Sequence, residues 1–199
     1  TDLFGAQPTA TETTADLVRR LEARETPMAA VSDLLAHRPW PMDYGHIWEP
    51  CAGTRVLADQ LSERGFRVVT SDIYPWAGYD FDADLFAIER PPAKVVWTNP
   101  PFSRAHEIVR HLLAIGVDEV ILFHSWSWFT QKRAWQLFDE IPPTHVAPLA
   151  RRVTCWEFHL TAAERRGSTP DRFAWYRFVR GFAGAPTIAR IPEPKGGAS

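Results

Sequence analysis

Cysteine is nearly absent from this chain. Only Cys51 and Cys155 occur among 199 residues, far apart and in no CxxC spacing, so neither a disulfide framework nor a cysteine-ligated zinc cluster is implied. Long apolar runs are missing too, which excludes a membrane-spanning helix of ordinary length. The opening TDLFGAQPTATETT lacks the basic-then-apolar order of a signal peptide. These absences lead us to expect a soluble protein in a reducing cytoplasm. No internal repeat is found, which excludes a solenoid. A large net charge is lacking as well, since the formal charge is −2. That balance hides an asymmetry: residues 1–99 hold 9 Lys+Arg against 15 Asp+Glu, and residues 100–199 hold 13 against 9. A polyanion is therefore expected to meet the basic C-terminal half. Chance scatter of surface charge is the plainer alternative.

With 45% apolar residues, a chain of this length can bury one good core and is too short for two ordinary domains. Residues 1–14 are rich in Thr and Ala without apolar period and read as a tail. A single domain over 15–192 and a second tail over 193–199 complete the expected organisation. Helical spacing covers Ala15–Arg24, and Pro27 suits the first turn of a second helix through Leu34 and Leu35. Short apolar runs and amphipathic stretches then alternate. Strands are expected at 46–48, 67–70, 94–98 and 119–123, and helices at 56–64, 104–115 and 132–139. Such alternation predicts an α/β fold, a mostly parallel sheet with helices on both faces. Beyond Pro142-Pro143 two β-like segments, Val153–His159 and Arg172–Val179, predict a hairpin-like edge and an antiparallel strand near the C-terminus. The polar stretch between them, 161–170, reads as an exposed loop.

Three motifs carry chemistry. Glu49-Pro50-Cys51-Ala52-Gly53 falls where a strand gives way to a helix, the place where open α/β sheets bind ligands and where glycine admits a cofactor close to the backbone. The same residues would serve a plain turn. Ser71-Asp72-Ile73 ends the next strand, and a carboxylate there can accept both hydroxyls of a ribose. A capping Asp is the structural alternative. Asn99-Pro100-Pro101-Phe102 follows the apolar run Val95-Val96-Trp97. Its two prolines forbid helix and ladder pairing, so an amide and an aromatic are held rigidly at the sheet's edge, where packing alone gives little reason for a Phe.

The order of Thr26-Pro27, Glu49-Pro50-x-x-Gly53, Ser71-Asp72-Ile73, Asp84-Leu85 and Asn99-Pro100-Pro101-Phe102 resembles the S-adenosylmethionine (SAM)-dependent DNA adenine-N6 methyltransferases, especially small ones of phages and prophages. The resemblance covers about residues 25 to 192. It implies a Rossmann-like methyltransferase fold, SAM as cofactor and duplex DNA as partner, with no metal required. It implies that Asn99 and the Pro100 carbonyl accept the two N–H bonds of a flipped adenine while Pro101 stiffens the turn and Phe102 stacks on the base. Thr26, Pro27, Glu49, Pro50, Ala52 and Gly53 would surround the methionine end of SAM, Asp72 its ribose, and Ile73, Asp84 and Leu85 its adenine. The chain departs from many relatives in carrying Thr54-Arg55 where a second glycine is common, which predicts a less open cofactor loop. RNA adenine and protein glutamine-N5 methyltransferases share such a turn and remain alternatives, as does a silent binding module.

Other features point less sharply. His124-Ser125-Trp126-Ser127-Trp128-Phe129 either walls a substrate pocket or starts a helix in the core, and the mechanism above gives His124 no duty as a base. Lys132, Arg133, Arg151 and Arg152, and Arg165 and Arg166 in the 161–170 loop, are candidate DNA phosphate contacts. Solvated surface charge explains any one of them equally well.

Overall fold

The computed structural model describes residues 12–167 and 171–193. Among the described residues, eight strands form one sheet and five α-helices cover its two faces. Helix α1 (Thr14–Arg20) starts in a capping box: the Thr13 hydroxyl accepts from the Asp16 amide and the Asp16 carboxylate accepts from the Thr13 amide. Of the segment expected as an N-terminal tail, residues 1–11 lie outside the described residues, whereas Thr13 and Thr14 belong to this helix. Of the expected C-terminal tail, only Glu193 is described.

Helix α2 (Met28–His37) leads to β1 (His46–Glu49), α3 (Val56–Glu63), β2 (Arg67–Asp72) and the two-residue β3 (Phe81–Asp82). Strand β4 (Val95–Thr98), α4 (Ala105–Ala114), β5 (Glu119–Ser125) and α5 (Lys132–Glu140) follow, and β6 (His145–Pro148), β7 (Phe173–Val179) and β8 (Thr187–Ile188) close the sheet. The strand order is β3-β2-β1-β4-β5-β7-β6-β8. Only β7 runs against the rest, paired antiparallel with both β5 and β6. After β1 the chain adds β2 and β3 on one side and then crosses to add β4 on the other. The order of strands therefore reverses at β1 and β4, and a crevice opens beyond their carboxyl ends.

Neighbouring side chains of the central strands point to opposite faces, as the pleat requires. Trp48, Val96 and Leu122 face α4 and α5, while Ile47, Trp97 and Ile121 face α2 and α3. Every residue of β5 is buried, which is why its middle, residues 120–123, reads as an unbroken apolar run. A third small cluster joins Leu17, Val18 and Leu21 of the N-terminal segment to Tyr74, Trp76 and Phe158. No helix among the described residues is long and apolar enough to cross a membrane.

Two expectations need correction. Residues 153–159 are not a strand: only Glu157 pairs, in an isolated bridge with Arg24. Both edges of β7 are already taken by β5 and β6, so no ladder position remains for this segment. Its alternation comes instead from Val153 and Cys155 packing into the α2 side of the core. The partner of β7 is β6, which sequence periodicity does not reveal because it is four residues long and ends in Pro148. Likewise the first helix stops at Arg20 rather than Arg24, because Glu22 turns into the left-handed region (φ 50°) and sends the chain across the sheet's carboxyl edge.

Candidate functional site

A cleft open to solvent lies at the switch point. Its floor comes from the ends of β1, β2 and β4, its far wall from Asp84 and Leu85, and its roof from residues 21–26 with Phe158. Of the residues expected around a cofactor, Thr26, Glu49, Pro50, Ala52, Gly53, Asp72, Ile73, Asp84 and Leu85 line it, and Pro27, directly beside Thr26, does not. Pro27 instead occupies the N-cap position of α2.

Glu49 is 1% exposed, and its Oε2 has no hydrogen-bond partner among the described residues. Burial pushes its carboxyl well above the ordinary carboxylate range. Leaving such an oxygen unpaired is costly, so the arrangement asks for a donor to enter the cleft. Asp72 accepts from the amide of Gly53 at 2.9 Å and from that of Tyr74 at 3.1 Å. Burial nevertheless raises its pKa to about 6. The 19-residue separation thus closes a bond between the strand-end acid and the glycine turn before any ligand arrives. Asp84 caps the turn Leu85–Ala87 by accepting from the Phe86 amide at 3.0 Å.

Gly53 adopts φ +51°, and a Cβ there would lie 2.2 Å from the Phe158 ring. The close approach to this glycine is made by an aromatic of the chain itself, from the long β6–β7 connection. Arg55 supplies the left-handed turn (φ 68°) that a second glycine would otherwise make. Its guanidinium points away from the cleft, to the Thr70 hydroxyl at 3.0 Å and the Gly78 carbonyl at 2.8 Å.

Asn99 and Pro101 line the cleft, while Pro100 and Phe102 do not. The Asn99 amide nitrogen donates to the Arg24 carbonyl at 3.1 Å. That bond fixes which way the amide faces, and Oδ1 has no partner among the described residues. Ser103 N donates to Glu22 at 3.2 Å, so the roof segment grips the Asn-Pro-Pro-Phe turn at two points. Phe102 is not a free aromatic. It is half-buried, packs on the α2-side core and stacks on His124 with ring centroids 4.1 Å apart. Packing explains more of this Phe than its sequence position suggests.

The basic residues divide. Lys132, Arg133, Arg152 and Arg166 are exposed. Arg151 is 3.0 Å from the buried Asp33, and Arg165 bonds Glu25 of the roof at 2.8 Å. None lines the cleft. Cleft residues missed by sequence reasoning include Glu22, Arg24, Trp76 and Phe158. They arrive through contacts across more than seventy positions, and no local pattern announces them.

No protein-family model and no curated protein sequence matches the chain. Solved structures do match in shape. A predicted O-methyltransferase from Agrobacterium tumefaciens superposes with TM-score 0.52 at 11% identity, covering 84% of this chain and 86% of that one. The methyltransferase subunit of a type I restriction-modification system from Streptococcus thermophilus gives 0.52 at 10%, covering 79% of this chain and 44% of that one. The chain has the methyltransferase fold. A dimethyladenosine transferase from Plasmodium falciparum, of which the chain spans 62%, gives 0.49 at 12% identity. In a methyltransferase fold so arranged, the residues present fit SAM: an unpaired buried carboxylate oxygen at Glu49 suits an ammonium, and Asp72 suits ribose hydroxyls.

Proposed function

We propose that this protein transfers the methyl group of SAM to the N6 amino group of adenine in DNA. The observation that carries the reading is Asn99, an amide at the end of β4 that lines the cleft with its nitrogen tied to a backbone carbonyl and its oxygen unpartnered.

SAM, when bound, supplies a methyl group on a positively charged sulfur. The rest is the work of this chain. Glu49 binds the ammonium of the methionine end and Asp72 the ribose. The exocyclic nitrogen of adenine is a poor nucleophile because its lone pair is delocalised into the ring. Asn99 Oδ1 and the Pro100 carbonyl accept its two N–H bonds, drawing it toward tetrahedral geometry. Fixed acceptors of this kind match positive charge that develops on the nitrogen, and they need no reorganisation at the moment of transfer. Asn99 cannot turn its donor side to the base while the Arg24 carbonyl holds its NH2. Phe102 stacks on the flipped base. The nitrogen's surplus proton leaves to water.

DNA is favoured over RNA and protein by Phe102 at the last position of the turn and by the resemblance of the motif order to the DNA adenine-N6 methyltransferases. Lys132, Arg133, Arg152 and Arg166 are the phosphate contacts of choice, since Arg151 and Arg165 are committed to carboxylates. Incubation with methyl-labelled SAM and duplex DNA, followed by nucleoside digestion, tests the reading. Label is expected in N6-methyldeoxyadenosine. Label appearing only in RNA or in protein glutamine overturns the substrate.

A further inference from the structure

His124 lies outside the chemistry just described, yet it is 2% exposed at the carboxyl end of the fully buried β5. Phe102 stacks on it at 4.1 Å and 25°, and Trp128 stacks on it at 4.5 Å and 19°. Two rings cannot share one face of an imidazole at those distances, so they sandwich it. Both ring nitrogens are engaged too. Nε2 lies 3.2 Å from the Phe102 carbonyl, which can only accept, so Nε2 carries the hydrogen. Nδ1 lies 3.2 Å from the Ser125 hydroxyl. Burial pushes the pKa of the ring down to about 4. With both faces and both nitrogens occupied, this histidine has nothing left with which to act as a base.

The column is rooted in the core. Trp128 is 1% exposed and meets Phe138 and Tyr176 edge-on at 5.2 and 4.9 Å. The Tyr176 hydroxyl in turn donates to the Ser125 carbonyl at 3.1 Å. At the outer end, Phe102 has no second stacking ring among the described residues; its other ring contact, Phe173, is tilted by 52° at 6.2 Å.

We propose that His124 is a positioning residue: with Trp128 it fixes the plane and height of Phe102, so that the target base stacks on Phe102 as the fourth ring of a column built into the core. The hydrogen bond to the Phe102 carbonyl sets the backbone of the turn, and the stack sets its side chain. A platform held from both sides loses little freedom when a base lands on it. This inference rests on the adenine reading of the site, and it accounts for the His-Ser-Trp-Ser-Trp-Phe segment that the transfer chemistry leaves unused.

The test uses the full chain with S-adenosylhomocysteine (SAH) and a single-stranded oligonucleotide bearing 2-aminopurine, whose fluorescence is quenched by stacking. His124→Leu and His124→Gln remove the ring while keeping volume, and His124→Phe restores a ring without the N–H donor. SAH affinity and melting temperature report folding in each. The ring-less variants are expected to weaken 2-aminopurine binding by about tenfold and to slow methyl transfer to DNA by a similar factor, with SAH affinity preserved. His124→Phe is expected to recover most of both. Ring-less variants that quench and transfer like the wild type overturn the platform, as does a His124→Phe protein no better than His124→Leu. A wild type that fails to quench overturns it as well. Quenching that depends on the ring, without transfer to any DNA, sinks the DNA methylation reading and leaves the platform standing.

Discussion

The two ends of the sheet treat a buried carboxylate in opposite ways. At the amino end of β5, Glu119 is clasped by Arg177 of β7 at 2.8 and 2.9 Å and accepts a hydrogen bond from Tyr44. Both oxygens are satisfied, and the guanidinium also lies over the Trp40 ring. At the carboxyl end of β1, Glu49 is more deeply buried and keeps an oxygen unpaired among the described residues. The first carboxylate is finished by the fold alone. The second is left with an oxygen open to a ligand, and open α/β sheets place their ligands at that end. A buried carboxylate is therefore informative only once its partners are counted.

That contrast can be broken by exchanging what each acid does. Glu119→Ala strands the Arg177 guanidinium and the Tyr44 hydroxyl, and should cost about 3 kcal/mol of stability, read by denaturant unfolding, with little change in SAH affinity of the folded protein. Glu49→Gln should do the reverse. It removes a carboxyl whose ionisation burial opposes, so the unfolding midpoint should hold or rise, while SAH binding weakens by at least about tenfold through loss of a charged hydrogen bond. Calorimetry sharpens this further: because the Glu49 pKa is raised and an ammonium favours the ionised form, SAH binding should release a proton in the wild type and not in Glu49→Gln.

The pH dependence follows from Asp72, whose folded pKa of about 6 lies above its ordinary value of 3.8. A raised carboxyl pKa means that ionisation costs stability at high pH, and the cost is relieved as pH falls from about 6 toward 4. On the proposed role of Asp72 as the ribose acceptor, cofactor binding needs the ionised form. Lowering the pH through about 6 should therefore weaken SAH binding while Asp72 itself favours folding, and the binding profile should flatten in Asp72→Asn. The smallest effect is expected at Arg55→Gly. Relief of the left-handed backbone, of order 1 kcal/mol, opposes loss of the bonds to Thr70 and Gly78. Unfolding midpoint and SAH affinity should both stay close to wild type.

Much of this was legible in the sequence where the signal is local. The parallel core strands announce themselves as apolar runs because both faces are covered. Glu49, Gly53, Asp72 and Asn99 announce themselves by falling at strand ends, and all four line the cleft. What escaped is long-range. The two-residue strands β3 and β8 are too short to have a period. The apolar alternation at 153–159 imitates a strand because a core face, rather than a ladder, selects it. The roof of the cleft is a bridge between Arg24 and Glu157, and nothing near either residue foretells the other. His124 was visible only as one ring in an aromatic run; its role depends on which rings lie above and below it.

The most direct test of the account is Asn99→Ala, measured in parallel for SAH binding and for methyl transfer to adenine in duplex DNA. The account predicts an SAH affinity close to wild type and a transfer rate lower by about 100-fold or more, because the variant removes an acceptor that acts on the base and leaves Glu49 and Asp72 intact. Transfer that survives at the wild-type rate would contradict it, placing the reacting amine away from the Asn99-Pro100-Pro101-Phe102 turn.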